Sequence, residues 1–190
     1  KRGYKQTELG IIPEDWEVNK LDDCLDLLTD FEANGSFEDL AKKVRVYDKE
    51  NYAWYVRATD LENNSKINEL KFVDYKTYKF LRKTSLTGGE VLITKRGEIG
   101  KVYFFKMKTE NATLAPNMYL LKFNSKVIPF YIYSYFKSEL GNKLLLGRNE
   151  STTLGAIYKD DVKSITILLP PLPEQTAIAN ALSDIDALIE

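Results

Sequence analysis

The chain has 190 residues, of which 44% are hydrophobic, enough to bury one substantial core. It contains no histidine and a single cysteine, Cys24, which excludes histidine-based catalysis, zinc fingers and internal disulfides and predicts a reducing, cytoplasmic location. The formal net charge of −1 is the sum of −7 over residues 1–40, +10 over residues 41–172 and −4 over residues 173–190. A basic middle between acidic ends is compatible with polyanion binding and with an ordinary solvated surface alike. No apolar run is long enough to predict a membrane span.

The hydrophobic pattern predicts many short strands and helices, without an internal repeat. Residues 1–10 are polar, and we expect them to be loosely ordered. In chain order, the predicted elements are a strand over 16–21, helices over 24–28 and 36–46, a strand and polar turn over 52–61, a helix over 74–83, strands over 90–94, 101–105 and 118–123, a helix over 128–146, a helical turn over 159–162 and a strand over 164–169. The sequence therefore predicts an α+β fold of short, mostly antiparallel strands with peripheral helices.

One β-hairpin is predicted around the turn at residues 95–100. The strand before the turn reads EVLIT and the strand after it reads KVYFF, and the turn between them, KRGEIG, contains two glycines. Glycine accepts the backbone conformations that tight turns require. We therefore expect the basic side chains of this turn to lie together at the hairpin tip.

Three polar segments carry the side chains that DNA-binding proteins use. Arginine suits a guanine edge, asparagine suits adenine, and lysine and hydroxyl groups suit phosphate. The segments lie at predicted strand ends or loops within the basic middle of the chain. The candidate DNA-binding residues are Arg57, Thr59, Lys95, Arg96, Lys101, Arg148, Asn149, Ser151 and Thr152.

The last residues predict an amphipathic helix that begins after three prolines in four positions. Pro173 suits a first helical turn, where its missing N–H would have no intrahelical partner. Beyond it, apolar residues recur at steps of four, three and four, which is the seam of a coiled coil or helix pair. The predicted pairing residues are Ile178, Leu182, Ile185 and Ile189.

Catalytic motifs are weak in this sequence. The segment 115–119 only loosely resembles a methyltransferase catalytic loop, and the sequence lacks a P-loop and a dinucleotide-binding fingerprint. Glu150, Asp161 and Lys163 could imitate the carboxylates and lysine of a metal-dependent nuclease. Asp161 is better placed as a charge at the start of a helix. We expect no catalysis and no metal site in this chain.

Four segments together resemble the target-recognition half of a type I restriction-modification specificity (S) subunit. They are IPEDW at 12–16, YVRATDL at 55–61, GEVLITKRGEIGK at 89–101 and LPPLPEQTAIA at 169–179. The last is the most specific, because the proline-rich stop is followed at once by a heptad helix. The resemblance extends over almost the whole chain.

The resemblance implies a DNA target-recognition domain over residues 1–170 and the start of the family's conserved spacer helix over residues 171–190. Such a domain reads one half of a bipartite double-stranded DNA site and is not itself catalytic. Modification and restriction subunits, which use S-adenosylmethionine, ATP and Mg, methylate and cleave the DNA. The family's second recognition domain is not in this sequence. The resemblance therefore implies either a first half or a half-size subunit that dimerises through its helix.

Two alternatives to DNA reading follow from the residues alone. The acidic ends and the heptad helix could instead assemble proteins without any DNA, and a stand-alone metal-dependent nuclease is the third interpretation. Salt-sensitive binding of DNA distinguishes the first interpretation from protein assembly. Magnesium-dependent cleavage by the purified chain would identify a nuclease.

Overall fold

The computed structural model describes residues 3–147 and 156–189. The strands are β1 (Tyr4–Thr7), β2 (Gly10–Pro13), β3 (Glu17–Lys20), β4 (Leu25–Asp30), β5 (Val46–Tyr47), β6 (Ala53–Val56), β7 (Phe72–Val73), β8 (Ser85–Leu86), β9 (Val91–Thr94), β10 (Val102–Phe104), β11 (Ala112–Leu114), β12 (Met118–Phe123) and β13 (Thr166–Leu169). The helices are α1 (Phe37–Lys43), α2 (Ala58–Glu62), α3 (Tyr75–Phe80), α4 (Pro129–Lys137), α5 (Glu139–Leu146), α6 (Lys159–Lys163) and α7 (Leu172–Ile189). Within these ranges, no helix is both long and apolar enough to cross a membrane.

Two larger sheets organise the strands. One has four strands in the order β10-β9-β12-β4, all antiparallel. The other has five strands in the order β5-β7-β6-β11-β8, and β6 and β11 run parallel while its other pairs are antiparallel. Two-stranded pairs join β1 to β2 and β3 to β13. The predicted α+β class with mostly antiparallel strands is confirmed.

The two central strands of the four-stranded sheet, β9 and β12, are covered on both faces. In β9, Val91 and Ile93 point into a core that includes α4, whereas Leu92 points into a core shared with the five-stranded sheet. Successive side chains of a strand alternate between the faces, so a strand covered on both sides needs apolar residues at every position. This explains the apolar runs Val91–Ile93 in β9 and Met118–Leu121 in β12.

The outer face of the five-stranded sheet is covered by short helices. Leu40 of α1 and Leu81, just after α3, pack with Tyr55 and Val73 in a third core. Both helices are capped by the residue that precedes them, because the Ser36 side chain accepts from the Asp39 N–H and the Asp74 side chain accepts from the Thr77 N–H.

Helix α7 is fixed at its start by hydrogen bonds to segments that are distant in the chain. Gln175 is only 1% exposed. Its amide oxygen accepts from the Ile128 N–H at 2.9 Å, and its amide nitrogen donates to the carbonyls of Lys126 at 3.0 Å and Pro170 at 2.8 Å. Trp16 donates its indole N–H to Glu174 at 3.1 Å. The two end motifs of the sequence therefore meet in space, beside the β3–β13 pair.

The structure corrects three of the predicted elements. Of residues 1–10, which the sequence predicts to be loosely ordered, Tyr4–Thr7 form β1 and pair with β2. The helix predicted over 24–28 is instead a 3₁₀ turn, Leu21–Cys24, followed by β4, which pairs with β12. The helix predicted over 128–146 is divided into α4 and α5 by Ser138, whose extended backbone breaks the helix while its hydroxyl caps the next one by accepting from the Gly141 N–H at 3.2 Å.

Candidate nucleic-acid interface

The β9–β10 hairpin forms as predicted, and its turn is tied internally by Thr94. The Thr94 hydroxyl accepts from the Lys101 N–H at 2.9 Å and donates to the Glu98 carbonyl, and the Gly100 N–H donates to the Thr94 carbonyl at 2.9 Å. Gly97 and Gly100 both have φ of +76°, a region that side chains disfavour. The turn therefore has a defined backbone conformation, which its own hydrogen bonds hold in place.

Lys95 is not the exposed tip residue that the sequence predicts, because its side chain points inwards and the residue is 5% exposed. Its ammonium donates to Asp30 at 2.8 Å and Glu32 at 2.6 Å, and it lies 5.2 Å from the centre of the Tyr119 ring. A buried ammonium must be paired, and these partners satisfy it. Lys95 therefore positions the hairpin instead of facing solvent.

Asp30 is the centre of this buried ionic cluster. Lys159, at the start of α6, also donates to Asp30, at 2.9 Å. Burial alone would raise the pKa of Asp30, but hydrogen bonds from Lys95 and Lys159 outweigh it and hold the pKa below its ordinary value. Asp30 is therefore the charged partner of two lysines from distant parts of the chain.

Arg96 is the cation that the turn presents to solvent, with a side chain that is 64% exposed. One nitrogen of its guanidinium lies 3.9 Å from Glu32, at the outer limit of an ion pair, and the neighbouring Lys95 already binds the same carboxylate at 2.6 Å. A long, exposed ion pair contributes little free energy. Arg96 can therefore exchange this contact for another acceptor at small cost.

The polar loop with four of the predicted residues, Arg148, Asn149, Ser151 and Thr152, lies outside the described residues. The residues that flank it contact the hairpin. Gly100 lies so close to Leu146 that a Cβ at position 100 would be 2.5 Å from a Leu146 methyl group. After the loop, the Ile157 N–H donates to the Lys95 carbonyl at 3.2 Å, and Tyr119 donates its hydroxyl to the Ile157 carbonyl at 2.9 Å. Both flanks of the loop thus adjoin the hairpin turn.

The third predicted segment lies at the start of α2. Asp60 is buried and accepts from the Trp54 indole at 3.3 Å, and the Arg57 guanidinium binds the same carboxylate through Nε at 3.1 Å. Thr59 is exposed on α2 rather than at a strand end. The Asp60 carboxylate therefore caps the N-terminus of α2 by accepting from the Arg57 N–H, and the Arg57 side chain that neutralises it remains partly exposed.

Lys101 joins this segment to the hairpin. Its ammonium donates to Glu62 at the end of α2 and to Glu98 in the turn. These hydrogen bonds raise the pKa of Lys101 above its ordinary value, and the one to Glu62 has the larger effect. The structure therefore brings α2, the hairpin turn and the flanks of the 148–155 loop next to one another. Of the predicted cations in the described residues, Arg96 is the most open to solvent, whereas Lys95, Arg57 and Lys101 are engaged with carboxylates.

Asp161 and Lys163, two of the three residues that could imitate a nuclease, each have another structural partner. Asp161 accepts from the Tyr158 N–H at 3.1 Å as a helix cap, and Lys163 lies 3.2 Å from Asp22. Glu150 lies outside the described residues. Within residues 3–147 and 156–189, no group of three or more histidine, cysteine, aspartate or glutamate side chains is arranged to hold a metal ion.

The family model for the type I restriction modification DNA specificity domain matches residues 13–190. The chain belongs to this family. A protein of Methanocaldococcus jannaschii named as the MjaX specificity subunit of a type I restriction enzyme is 32% identical over 198 residues, which cover 100% of this chain and 44% of that protein.

Solved structures agree on the fold of this specificity domain. A chain of a type I R-M system, from work on its complex assembly and conformational transition, superposes with a TM-score of 0.67 at 17% identity, over 94% of this chain and 40% of the other. The HsdS subunit of Thermoanaerobacter tengcongensis gives a TM-score of 0.64 at 16% identity, over 98% and 40%. This specificity domain thus spans less than half the length of each of these relatives.

Sequence reasoning missed the residues that hold the turn of this specificity domain. Asp30, Tyr119 and Lys159 lie on three separate elements, and Asp30 is 65 residues from Lys95 in the chain. One signal was available for Asp30, which follows Leu27 and Leu28 closely in the chain. A carboxylate next to buried positions requires a partner, but the sequence does not identify which lysine supplies it.

Proposed function

We propose that this chain is the sequence-reading part of a type I restriction-modification specificity subunit and that it binds double-stranded DNA through the β9–β10 turn and its neighbours. In this proposal the chain catalyses nothing itself. Separate modification and restriction subunits, with S-adenosylmethionine, ATP and Mg, would methylate and cleave the DNA that it selects.

The observation that supports this proposal best is the contrast between Arg96 and Lys95. Two adjacent cations occupy one turn, but one is locked into a buried cluster and the other extends into solvent with only a long ion pair. A planar guanidinium on a rigid support suits bidentate hydrogen bonds to a guanine edge. The buried cluster provides that support, because it joins the turn to β4, β12 and α6.

We expect the substitution Arg96→Gln to relax recognition at one base pair. A pool of randomised duplexes, selected on the wild-type chain, would give the preferred sequence. Against that duplex, Arg96→Gln should lose about 1–3 kcal/mol of binding free energy, or roughly 5- to 150-fold in affinity, with the loss concentrated at one position of the site. Fluorescence anisotropy with single-base variants of the duplex measures both effects.

The matched control is Lys126→Gln, which removes one exposed positive charge far along the chain from the hairpin. It should leave the base preference unchanged. Equal base preferences for Arg96→Gln and wild type would show that the turn does not read the bases. A wild-type chain without any salt-sensitive affinity for duplex DNA would instead favour the protein-assembly interpretation.

We further propose that α7 pairs with a second recognition half or another copy of the chain. Leu182 and Ile185 support this, because they are 38% and 51% exposed on a helix whose start is anchored to the rest of the chain. Ile178 packs instead against the core of the domain. The side chain of Ile189 lies outside the described part of the structure. The pairing seam therefore rests on Leu182 and Ile185, with Leu188 also exposed.

We expect the wild-type chain to self-associate at high concentration and the Ile185→Asp variant to remain monomeric, because a charge on the seam would have to be buried on pairing. Sedimentation velocity measures both states. The control Asn180→Asp adds the same charge at another exposed position of α7 and should leave association unchanged. If the wild-type chain sediments as a monomer at its highest soluble concentration, pairing with another copy is ruled out.

A further inference from the structure

A second basic surface lies along α3 and the 3₁₀ turn that follows it. It is a groove of about 560 Å³ whose lining includes four cationic side chains and no carboxylate. We call it the α3 groove. The lining residues are Asn34, Tyr75, Lys76, Lys79, Phe80, Arg82 and Lys83. Neither the candidate residues of the sequence nor the hairpin turn includes any of them.

The cations of the α3 groove are available to a ligand. Lys76, Lys79 and Arg82 are exposed, and none forms an ion pair with another residue among 3–147 and 156–189. Lys83 is held against the chain, since its ammonium donates to the Ala33 carbonyl at 2.8 Å. The groove therefore concentrates positive charge that the described residues do not neutralise.

The nearby carboxylates are already engaged. Asp39 is bound by Lys43 at 2.6 Å and by the Ser36 hydroxyl at 2.8 Å, and these contacts lower its pKa. Asp74 accepts from the Thr77 N–H at 2.7 Å, the main cause of its lowered pKa, and from the Tyr47 hydroxyl at 3.0 Å. Both acids therefore stay ionised, and both are held by partners other than the groove cations.

The α3 groove is continuous with the hairpin turn through one 3₁₀ turn, Phe31–Asn34. At one end of it, Glu32 binds Lys95 and approaches Arg96. At the other end, the Asn34 side chain accepts from the Lys83 N–H at 3.1 Å and donates to the Thr84 hydroxyl at 2.9 Å. A 3₁₀ helix rises about 2 Å per residue, so Glu32 and Asn34, two residues apart, are separated by only about 4 Å along the axis of this turn.

We propose that the α3 groove binds phosphates of the same double-stranded DNA whose bases the hairpin turn reads. This rests on the proposed function and extends it to a second surface. Duplex DNA presents one negative charge per about 1.7 Å of its axis, so a duplex held at Arg96 has phosphates close to a groove that adjoins the same 3₁₀ turn. Flexible lysines suit phosphate as point charges and carry no base specificity.

An acidic protein surface is the competing occupant. The composition of the groove favours DNA, because lysine is depleted in the cores of protein–protein interfaces whereas protein–DNA interfaces are strongly basic. Continuity with Arg96 also favours DNA, since a single duplex can contact both places at once.

The test uses the triple variant Lys76→Gln, Lys79→Gln and Arg82→Gln in the full chain. The probes are the duplex selected on the wild-type chain and a scrambled duplex of the same length. Affinity for DNA falls with salt, so the slope of log affinity against log salt is negative. We expect the variant to make this slope shallower by about 2 to 3 units, near 0.9 for each phosphate that it no longer neutralises. Both duplexes should bind more weakly by the same factor, because phosphate binding does not distinguish sequences.

The matched control is Lys5→Gln, Lys49→Gln and Lys126→Gln, which removes the same charge from exposed positions that line neither the groove nor the cavities beside the hairpin turn. It should change the slope by less than the equivalent of one phosphate. Circular dichroism would establish that both variants fold. As a second measurement on the wild-type chain, bound duplex should protect the Lys76 and Lys79 amines from reductive methylation, read by mass spectrometry.

The outcomes separate the two proposals. Equal salt slopes for the two triple variants, with wild type binding normally, would overturn the proposal that the α3 groove binds phosphates. The proposal of DNA recognition by the hairpin turn would remain. Lysines that stay fully reactive in the DNA complex would also overturn the groove proposal, and would point to an acidic protein as the occupant. A wild-type chain that binds neither duplex would overturn the proposed function and the groove together.

Discussion

Replacing Lys95 with methionine is expected to lower the free energy of unfolding by about 3 kcal/mol, the lower end of the cost of removing one partner from a buried ion pair. Methionine keeps most of the apolar stem but leaves Asp30 and Glu32 without the ammonium that joins them. Lys159 still binds Asp30, which limits the loss. Urea denaturation followed by circular dichroism measures the effect.

The neighbouring substitution Arg96→Gln is the control for Lys95→Met. It removes the same charge one residue away from an exposed side chain, and it should change stability by no more than about 0.5 kcal/mol. The two adjacent residues are therefore expected to have opposite roles, with stability sensitive to Lys95 and DNA recognition sensitive to Arg96. Similar unfolding curves for the two variants would show that the buried cluster contributes little to the fold.

Replacing Gln175 with alanine is expected to lower the free energy of unfolding by about 3 kcal/mol. The change removes three hydrogen bonds, each with a net contribution of about 1 kcal/mol, and leaves the Ile128 N–H and the carbonyls of Lys126 and Pro170 without that partner. The Gln175→Glu variant should also be destabilised, because a carboxylate can accept from Ile128 but cannot donate to two carbonyls.

The control for Gln175 is Thr176→Ala, which alters the adjacent, exposed residue, whose hydroxyl donates only to the Leu172 carbonyl one turn back. It should stay within about 0.5 kcal/mol of the wild type. Amide hydrogen exchange at Ile128 gives an independent measure, since the Gln175→Ala variant should expose that N–H. Unchanged protection of the Ile128 N–H in this variant would show that the three hydrogen bonds of the Gln175 amide are not required to hold the start of α7.

The hairpin is predictable from the sequence because its signals are local. Two apolar strands flank a turn with Gly97 and Gly100, and both glycines have the positive φ that such a turn requires. The orientation of Lys95 is not predictable in this way. Its partner Asp30 lies 65 residues earlier, and nothing in the residues around Lys95 indicates that its ammonium turns inwards.

Two further differences have the same origin. The segment after Cys24 is locally compatible with a helix, but pairing with β12 makes it β4, and that pairing is a contact between distant parts of the chain. The helix predicted over 128–146 has a continuous apolar pattern, and Ser138 breaks it because its hydroxyl can cap a new helix.

The hydrogen bonds of the Gln175 amide also fix the rotation of α7 about its own axis. Three hydrogen bonds and the Trp16–Glu174 contact fix the start of the helix on the domain, so the direction in which Leu182 and Ile185 face is determined there. One residue inserted between Gln175 and Leu182 would turn the seam by about 100° and advance it by about 1.5 Å. The helix therefore sets the rotation of a partner on its seam as well as its distance. Any such partner is oriented relative to the hairpin turn.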